Sequence, residues 1–92
     1  MTIIPKLFDL GNVYQTPGVL DAIPTEDVMH ALARHQTGDW GDLSHADKRE
    51  NEYSLGFPLR LLSAYRAQTG EKFWVITEAD RSATTVLLPN EY

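Results

Sequence analysis

The chain has 92 residues, of which 42% are hydrophobic and 23% are charged, and it carries a net charge of −5. These proportions predict a single globular domain over residues 1–92, with a modest core. The absence of cysteine excludes disulfides, thiolate metal sites and cysteine nucleophiles. A net negative charge argues against direct binding of duplex DNA, which needs clustered Lys and Arg. It fits either plain solubility or a surface that engages a basic groove.

Membrane and export signals are not evident in the sequence. The apolar runs fall far short of the ~20 residues that a membrane-spanning helix needs. The opening residues lack the basic region and the long apolar core of a signal peptide. We therefore expect a protein of the bacterial cytoplasm that has no membrane partner.

The first half of the chain predicts helices. Residues 6–10 alternate weakly, which is compatible with an extra N-terminal strand. Thr16 followed by Pro17 is typical of a helix start, and Thr25 is the predicted N-cap of a second helix that stops at Gly38. Ser44 with an acid three residues later predicts a third helix from residue 45 to about residue 52. This third helix is so polar that we expect it to lie mostly on the surface.

The second half of the chain predicts strands. From residue 59 onwards apolar residues recur at every second position, with turns at residues 68–71 and 79–82. Short connections favour antiparallel neighbours, so residues 59–88 are predicted to form a three-stranded antiparallel meander. The predicted fold class is α+β, with helices from the N-terminal half packed on one face of this sheet.

The loop between the second and third helices is the densest cluster of unusual residues. Two glycines bracket Asp39 and Trp40, and Asp42 follows directly. We favour Trp40 as a core seal, with the two acids near the start of the next helix. The alternative makes all three an interface anchor on a rigid loop. They are therefore candidate partner-binding residues.

The turn between the last two strands forms a second candidate. Glu78, Asp80 and Arg81 cluster at the tip of the predicted hairpin, where they either pin the turn through ion pairs or contact a partner. Glu78 together with Glu52 also stays open as an acid–base pair. The usual signatures of nucleophiles and phosphate-binding loops are lacking. We therefore predict that the protein is not an enzyme.

Histidines and basic residues offer weaker signals. His30 and His35 are five residues apart, a spacing that does not place them on one helix face. We expect neither a metal nor another cofactor. Arg60, Arg66 and Lys72 would gather on the meander, either as a solvated face or as a local anion-binding patch.

Three segments carry a resemblance to a known family: residues 38–41 (Gly-Asp-Trp-Gly), residues 60–65 (Arg-Leu-Leu-Ser-Ala-Tyr) and residues 74–82 (Trp-Val-Ile-Thr-Glu-Ala-Asp-Arg-Ser). Over roughly residues 10–92 the chain resembles short accessory proteins carried by bacterial plasmids, phages and other mobile elements. In length and general character it is also similar to type I-F anti-CRISPR proteins. No binding residue is carried over from either group.

The second resemblance implies a non-enzymatic inhibitor that binds a crRNA-guided surveillance complex and blocks its target DNA. Contact between basic side chains and the guide RNA belongs to the same expectation. The alternative is a plasmid or host accessory regulator that acts by protein–protein interaction and has no immune role.

Overall fold

The computed structural model describes residues 5–92. Its elements form an α+β fold, and none of the helices in this range is long and apolar enough to cross a membrane. In chain order they are β1 (Asn12–Gln15), α1 (Pro17–Ala22), α2 (Thr25–Gln36), α3 (His45–Gly56), β2 (Leu61–Arg66), β3 (Lys72–Thr77), β4 (Ala83–Leu87) and a short 3-10 turn (Pro89–Glu91). The four strands form one sheet in the order β1-β4-β3-β2.

The sheet is mixed, which corrects the predicted three-stranded meander. Strands β2, β3 and β4 are antiparallel neighbours as expected, but β1 adds a fourth strand that runs parallel to β4. The extra N-terminal strand lies at Asn12–Gln15 instead of residues 6–10. All four residues of β1 are exposed, so no alternation of apolar and polar residues marks it in the sequence. Its partner lies at the other end of the chain, beyond the reach of local patterns.

Of the three predicted helices, α2 needs a corrected start and α3 a corrected end. Helix α1 starts as predicted, because the Thr16 hydroxyl accepts a hydrogen bond from the Val19 amide at 3.3 Å and Pro17 is the first helical residue. Helix α2 has Pro24 as its N-cap, so Thr25 is already helical. Helix α3 begins after Ser44 as predicted but continues to Gly56.

The hydrophobic core lies between one face of the sheet and helices α1 and α2. Its buried members are Val19, Ile23, Val28, Ala31, Tyr65, Ala67, Phe73, Val75 and Val86. Tight packing of α1 and α2 over the alternating inward residues of β2, β3 and β4 removes this apolar surface from water. Helix α3 lies along the β2 edge, so the expectation of helices on one face holds for α1 and α2.

The β2 edge of the sheet is closed by side-chain and loop contacts. The Asn51 side chain accepts from the Leu62 amide at 3.1 Å and donates to the Leu62 carbonyl at 2.6 Å. The Ala64 carbonyl accepts from the Asp42 amide at 2.7 Å. Gly41 lies between these contacts with φ +74, and a Cβ there would overlap the Ala64 carbonyl. Asn51 is therefore buried although α3 is polar, because it replaces a neighbouring strand.

Candidate protein-binding surface

A chain of buried hydrogen bonds runs through the core. The Thr84 hydroxyl donates to the Leu10 carbonyl at 2.7 Å and lies 2.8 Å from the Thr77 hydroxyl, which is 2.9 Å from His35 Nε2. His35 Nδ1 lies 2.5 Å from the Ser63 hydroxyl. A carbonyl only accepts and each hydroxyl has one proton, so Thr77 donates to Thr84 and His35 donates from Nε2. Ser63 then donates to Nδ1 of a neutral ring.

This network leaves His35 without a free nitrogen. Burial, with a smaller contribution from the positive charge of Arg81, lowers the pKa of His35 from 6.5 to about 3. Both His35 and Ser63 are 0% exposed, so the pair faces no solvent-filled site where a substrate could enter. Within residues 5–92 no group of three or more His, Asp or Glu side chains is arranged to hold a metal ion.

The Asp39–Trp40 corner is tied into the fold. The Trp40 side chain packs against Phe8 and His35, and it is only 3% exposed. The Asp39 carboxylate accepts two hydrogen bonds from the Arg34 guanidinium, at 2.7 and 3.1 Å, which lower the pKa of Asp39. The Asp42 side chain is exposed. Asp39 is exposed as well, but its carboxylate is paired with Arg34, so the Asp42 side chain is the group of this half best placed to meet a partner.

Arg81 joins three separate segments at the other end of β2. Its Nη1 donates to the carbonyls of Leu59 at 2.6 Å, Ala79 at 3.1 Å and Glu78 at 3.2 Å, and its Nη2 donates to the Ser54 carbonyl at 2.7 Å. The Ser54 carbonyl belongs to the last turn of α3, where helix carbonyls lack an intrahelical partner. Arg81 therefore caps α3 and fixes residue 59 to the β3–β4 turn, a role that no local pattern reveals.

An exposed aromatic pair lies at the same end of α3. The Tyr53 and Phe57 rings stack with centroids 4.4 Å apart, and the two residues are 59% and 51% exposed. Leu59, 48% exposed, follows them in the chain. We call these three residues the aromatic patch. Sequence reasoning missed the patch, although Tyr53 and Phe57 are two aromatic residues close together at the end of a polar segment.

Charged side chains of both signs lie near the aromatic patch. Arg81 binds the carbonyls of both Leu59 and Glu78, so the patch lies beside the β3–β4 turn. The Glu78 carboxylate is 3.3 Å from the Arg60 guanidinium and is also partly open to water. Hydrogen bonds from Ser82 lower the pKa of Asp80, which keeps this exposed group charged. We use the name Arg81 corner for the aromatic patch together with Glu78, Asp80 and Arg81.

The structure does not unite all of the residues predicted to bind a partner. Glu78, Asp80 and Arg81 share the Arg81 corner, whereas Asp39, Trp40 and Asp42 lie against the middle of β2. The two members of the suggested acid–base pair, Glu52 and Glu78, also bind different residues. Glu52 accepts from the Trp40 indole at 3.3 Å, and Glu78 pairs with Arg60.

Comparison with protein-family models, curated proteins and solved structures found no match.

Replacing Arg81 with alanine is expected to lower the free energy of unfolding by about 2–3 kcal/mol, because its charged group satisfies four carbonyls. The residue also has φ +62, a strained value for any residue except glycine. We therefore expect Arg81→Gly to be less destabilising than Arg81→Ala. Urea unfolding measures both variants, with the exposed Arg49→Ala as the control. Equal stability of Arg81→Ala and the wild type would contradict this stabilising role of Arg81.

Proposed function

We propose that the protein is a non-enzymatic binding protein of a mobile element, and that its Arg81 corner docks onto a type I-F crRNA-guided surveillance complex and excludes target DNA. The observation that carries this proposal is the exposed, stacked Tyr53–Phe57 pair at the end of α3 that Arg81 joins to the turn with Glu78 and Asp80. The element of origin and the identity of the complex rest on the resemblances described above. The docking surface rests on the geometry.

The composition of the corner supports a protein partner. Interfaces concentrate their binding energy in a few aromatic anchors surrounded by a polar rim. Tyr53 and Phe57 offer such anchors, and their mutual stacking reduces the entropy lost when a partner covers them. Arg81 holds the rim and the anchors in one rigid arrangement. A preformed surface of this kind binds without a large ordering cost.

Charge suggests which kind of partner fits. The corner exposes the carboxylates of Glu78, which is paired with Arg60, and of Asp80, which has no ion pair among residues 5–92, on a chain whose net charge is −5. A channel that holds nucleic acid presents Lys and Arg to phosphate groups, and carboxylates compete for the same cations. Attraction of this type mainly accelerates association and weakens as salt rises. Inhibition by occupation of such a channel requires no catalytic group.

The test mixes the purified protein with a type I-F crRNA-guided complex and follows co-elution and target-DNA binding. We expect the wild type to co-elute and to reduce DNA binding. Phe57→Ser should weaken binding at least tenfold, since an interface anchor is worth about 1.4 kcal/mol or more. Asp80→Lys should slow association at low salt, because it reverses an exposed charge, and the lost hydrogen bond from the Ser82 amide should cost only about 1 kcal/mol of stability.

Matched controls come from α1. Leu20 is 69% exposed and Asp21 is also exposed, so Leu20→Ser and Asp21→Lys make the same chemical changes away from the corner. Both controls should bind like the wild type. Wild-type binding by Phe57→Ser would show that the corner is not the interface. If the wild type neither co-elutes nor reduces DNA binding at about 10 µM, the surveillance complex is not the partner, and the accessory-regulator alternative replaces this proposal.

A further inference from the structure

Two cations face each other at the far end of the same sheet. Arg66 on β2 and Lys72 on β3 are directly paired across the strands, and both are exposed. Like charges in directly opposed positions repel each other. Among residues 5–92, no carboxylate lies within 4.0 Å of either side chain's nitrogens. An acidic protein therefore keeps two cations side by side on its surface, and neither forms an ion pair within residues 5–92.

An aromatic ring lies beside the two cations. Trp74 is two residues from Lys72 and therefore shares its face of the sheet, opposite the face that α1 and α2 cover. Its cross-strand partners are Leu87 on β4 and Ala64 on β2, and the small Ala64 side chain leaves space on the β2 side, while the ring also contacts Tyr92. A cleft of about 640 Å³ results, lined by Asp42, Ala64, Tyr65, Arg66, Lys72, Trp74 and Pro89.

We propose that this cleft binds a segment of single-stranded RNA, with a base stacked on Trp74 and a phosphate held between Arg66 and Lys72. Aromatic rings flanked by cations on an open sheet face are a recurrent way of holding unpaired bases. The exposed Asp42 carboxylate at the cleft repels a phosphate but accepts a hydrogen bond from a ribose 2′-hydroxyl. This acceptor is the reason for assigning RNA over DNA.

The cleft is separate from the Arg81 corner. Arg66 ends β2, whereas Leu61 at its start pairs with Thr77, which leads into the β3–β4 turn. Five residue steps along a strand correspond to about 17 Å, and the three steps from Trp74 to Thr77 correspond to about 10 Å. The RNA site therefore does not depend on the partner proposed for the corner, and it can be tested on the isolated protein.

The experiment measures fluorescence anisotropy of a labelled single-stranded oligouridine, about 8 nucleotides long, as protein is added. We expect Trp74→Ala to weaken binding at least tenfold and Trp74→Tyr to restore most of it, because stacking needs only an aromatic ring. Arg66→Glu and Lys72→Glu, at exposed positions, should each weaken binding similarly. Arg49→Glu is the matched control on α3 and should bind like the wild type. The slope of log K against log salt should be about −0.7, because a single phosphate is held by the two cations.

Several results would overturn the assignment. Absence of wild-type binding at about 100 µM protein would end the RNA proposal. An equal loss of RNA affinity in Arg49→Glu would also end it, as would wild-type affinity in both Arg66→Glu and Lys72→Glu. Binding of the matching oligodeoxyuridine as tight as that of RNA would remove the assigned role of Asp42 and with it the choice of RNA. An oligoglutamate peptide that binds equally well would show that the cleft attracts negative charge alone.

Discussion

Replacing Trp40 with alanine is expected to lower the free energy of unfolding by about 3–5 kcal/mol, the range for buried aromatic truncations. Trp40 is 3% exposed, and its ring packs against Phe8 and His35. Alanine would leave a cavity between the β2 edge and these rings, and the Glu52 carboxylate would lose the indole donor. For a domain of this size the melting temperature should fall by about 12 °C or more.

Trp74→Ala is the matched control for this change. Trp74 is also a tryptophan, but it is only partly buried and contacts Tyr92 on the open face of the sheet. Its truncation should destabilise the protein clearly less than that of Trp40. Thermal unfolding followed by circular dichroism compares the two variants. If Trp40→Ala melts like the wild type and instead loses its partner, the loop is an interface anchor and the core interpretation is wrong.

Acid is expected to destabilise the protein by about 2 kcal/mol between pH 7 and pH 5, because His35 is held neutral in the folded state. The pKa of His35 is about 3 in the fold and 6.5 as a free side chain. Between these values the unfolded chain binds the proton and the folded chain does not. The stabilisation is therefore complete above pH 6.5 and is lost progressively as the pH falls towards 3. The loss should reach about 3 kcal/mol near pH 4.

Urea unfolding at about pH 7, 6 and 5 measures this dependence. The carboxylates with lowered pKa, such as Asp39 and Asp80, lose their contributions only at lower pH, below their ordinary values of 3.8. His35→Gln should be less stable at pH 7 but should lack most of the slope, whereas His30→Gln, at an exposed position, should retain it. Nitrogen NMR should also find the His35 proton on Nε2. A slope that survives in His35→Gln would contradict the buried neutral ring.

Local patterns predicted the elements that depend on neighbouring residues. The N-caps at Thr16 and Ser44 form because each hydroxyl meets an amide only three residues ahead. The three antiparallel strands follow from alternation and short turns, which place inward residues such as Phe73 and Val75 in the core. The boundary of α2 at Pro24 was missed by one residue, because a threonine before two acids is also a suitable first helical residue.

The candidate site was only partly predictable from the sequence. The turn that contains Glu78 and Asp80 was identified because charged residues at a hairpin tip are visible in the chain itself. The role of Arg81 was not, because its partners Ser54 and Leu59 lie more than twenty residues away. The Tyr53–Phe57 pair became meaningful only when the fold left it exposed beside that turn.

By itself the sequence determined the α+β class, the order of the helices and of the antiparallel strands, and the acidic balance of the chain. Tertiary structure alone decided the parallel pairing of β1 with β4, the closure of the β2 edge by Asn51, and the buried network around His35. The physical reason is the separation along the chain of the residues that interact. Periodicity and capping reflect contacts within a few residues, whereas these three features satisfy backbone and side-chain hydrogen bonds between segments that meet only once the chain has folded.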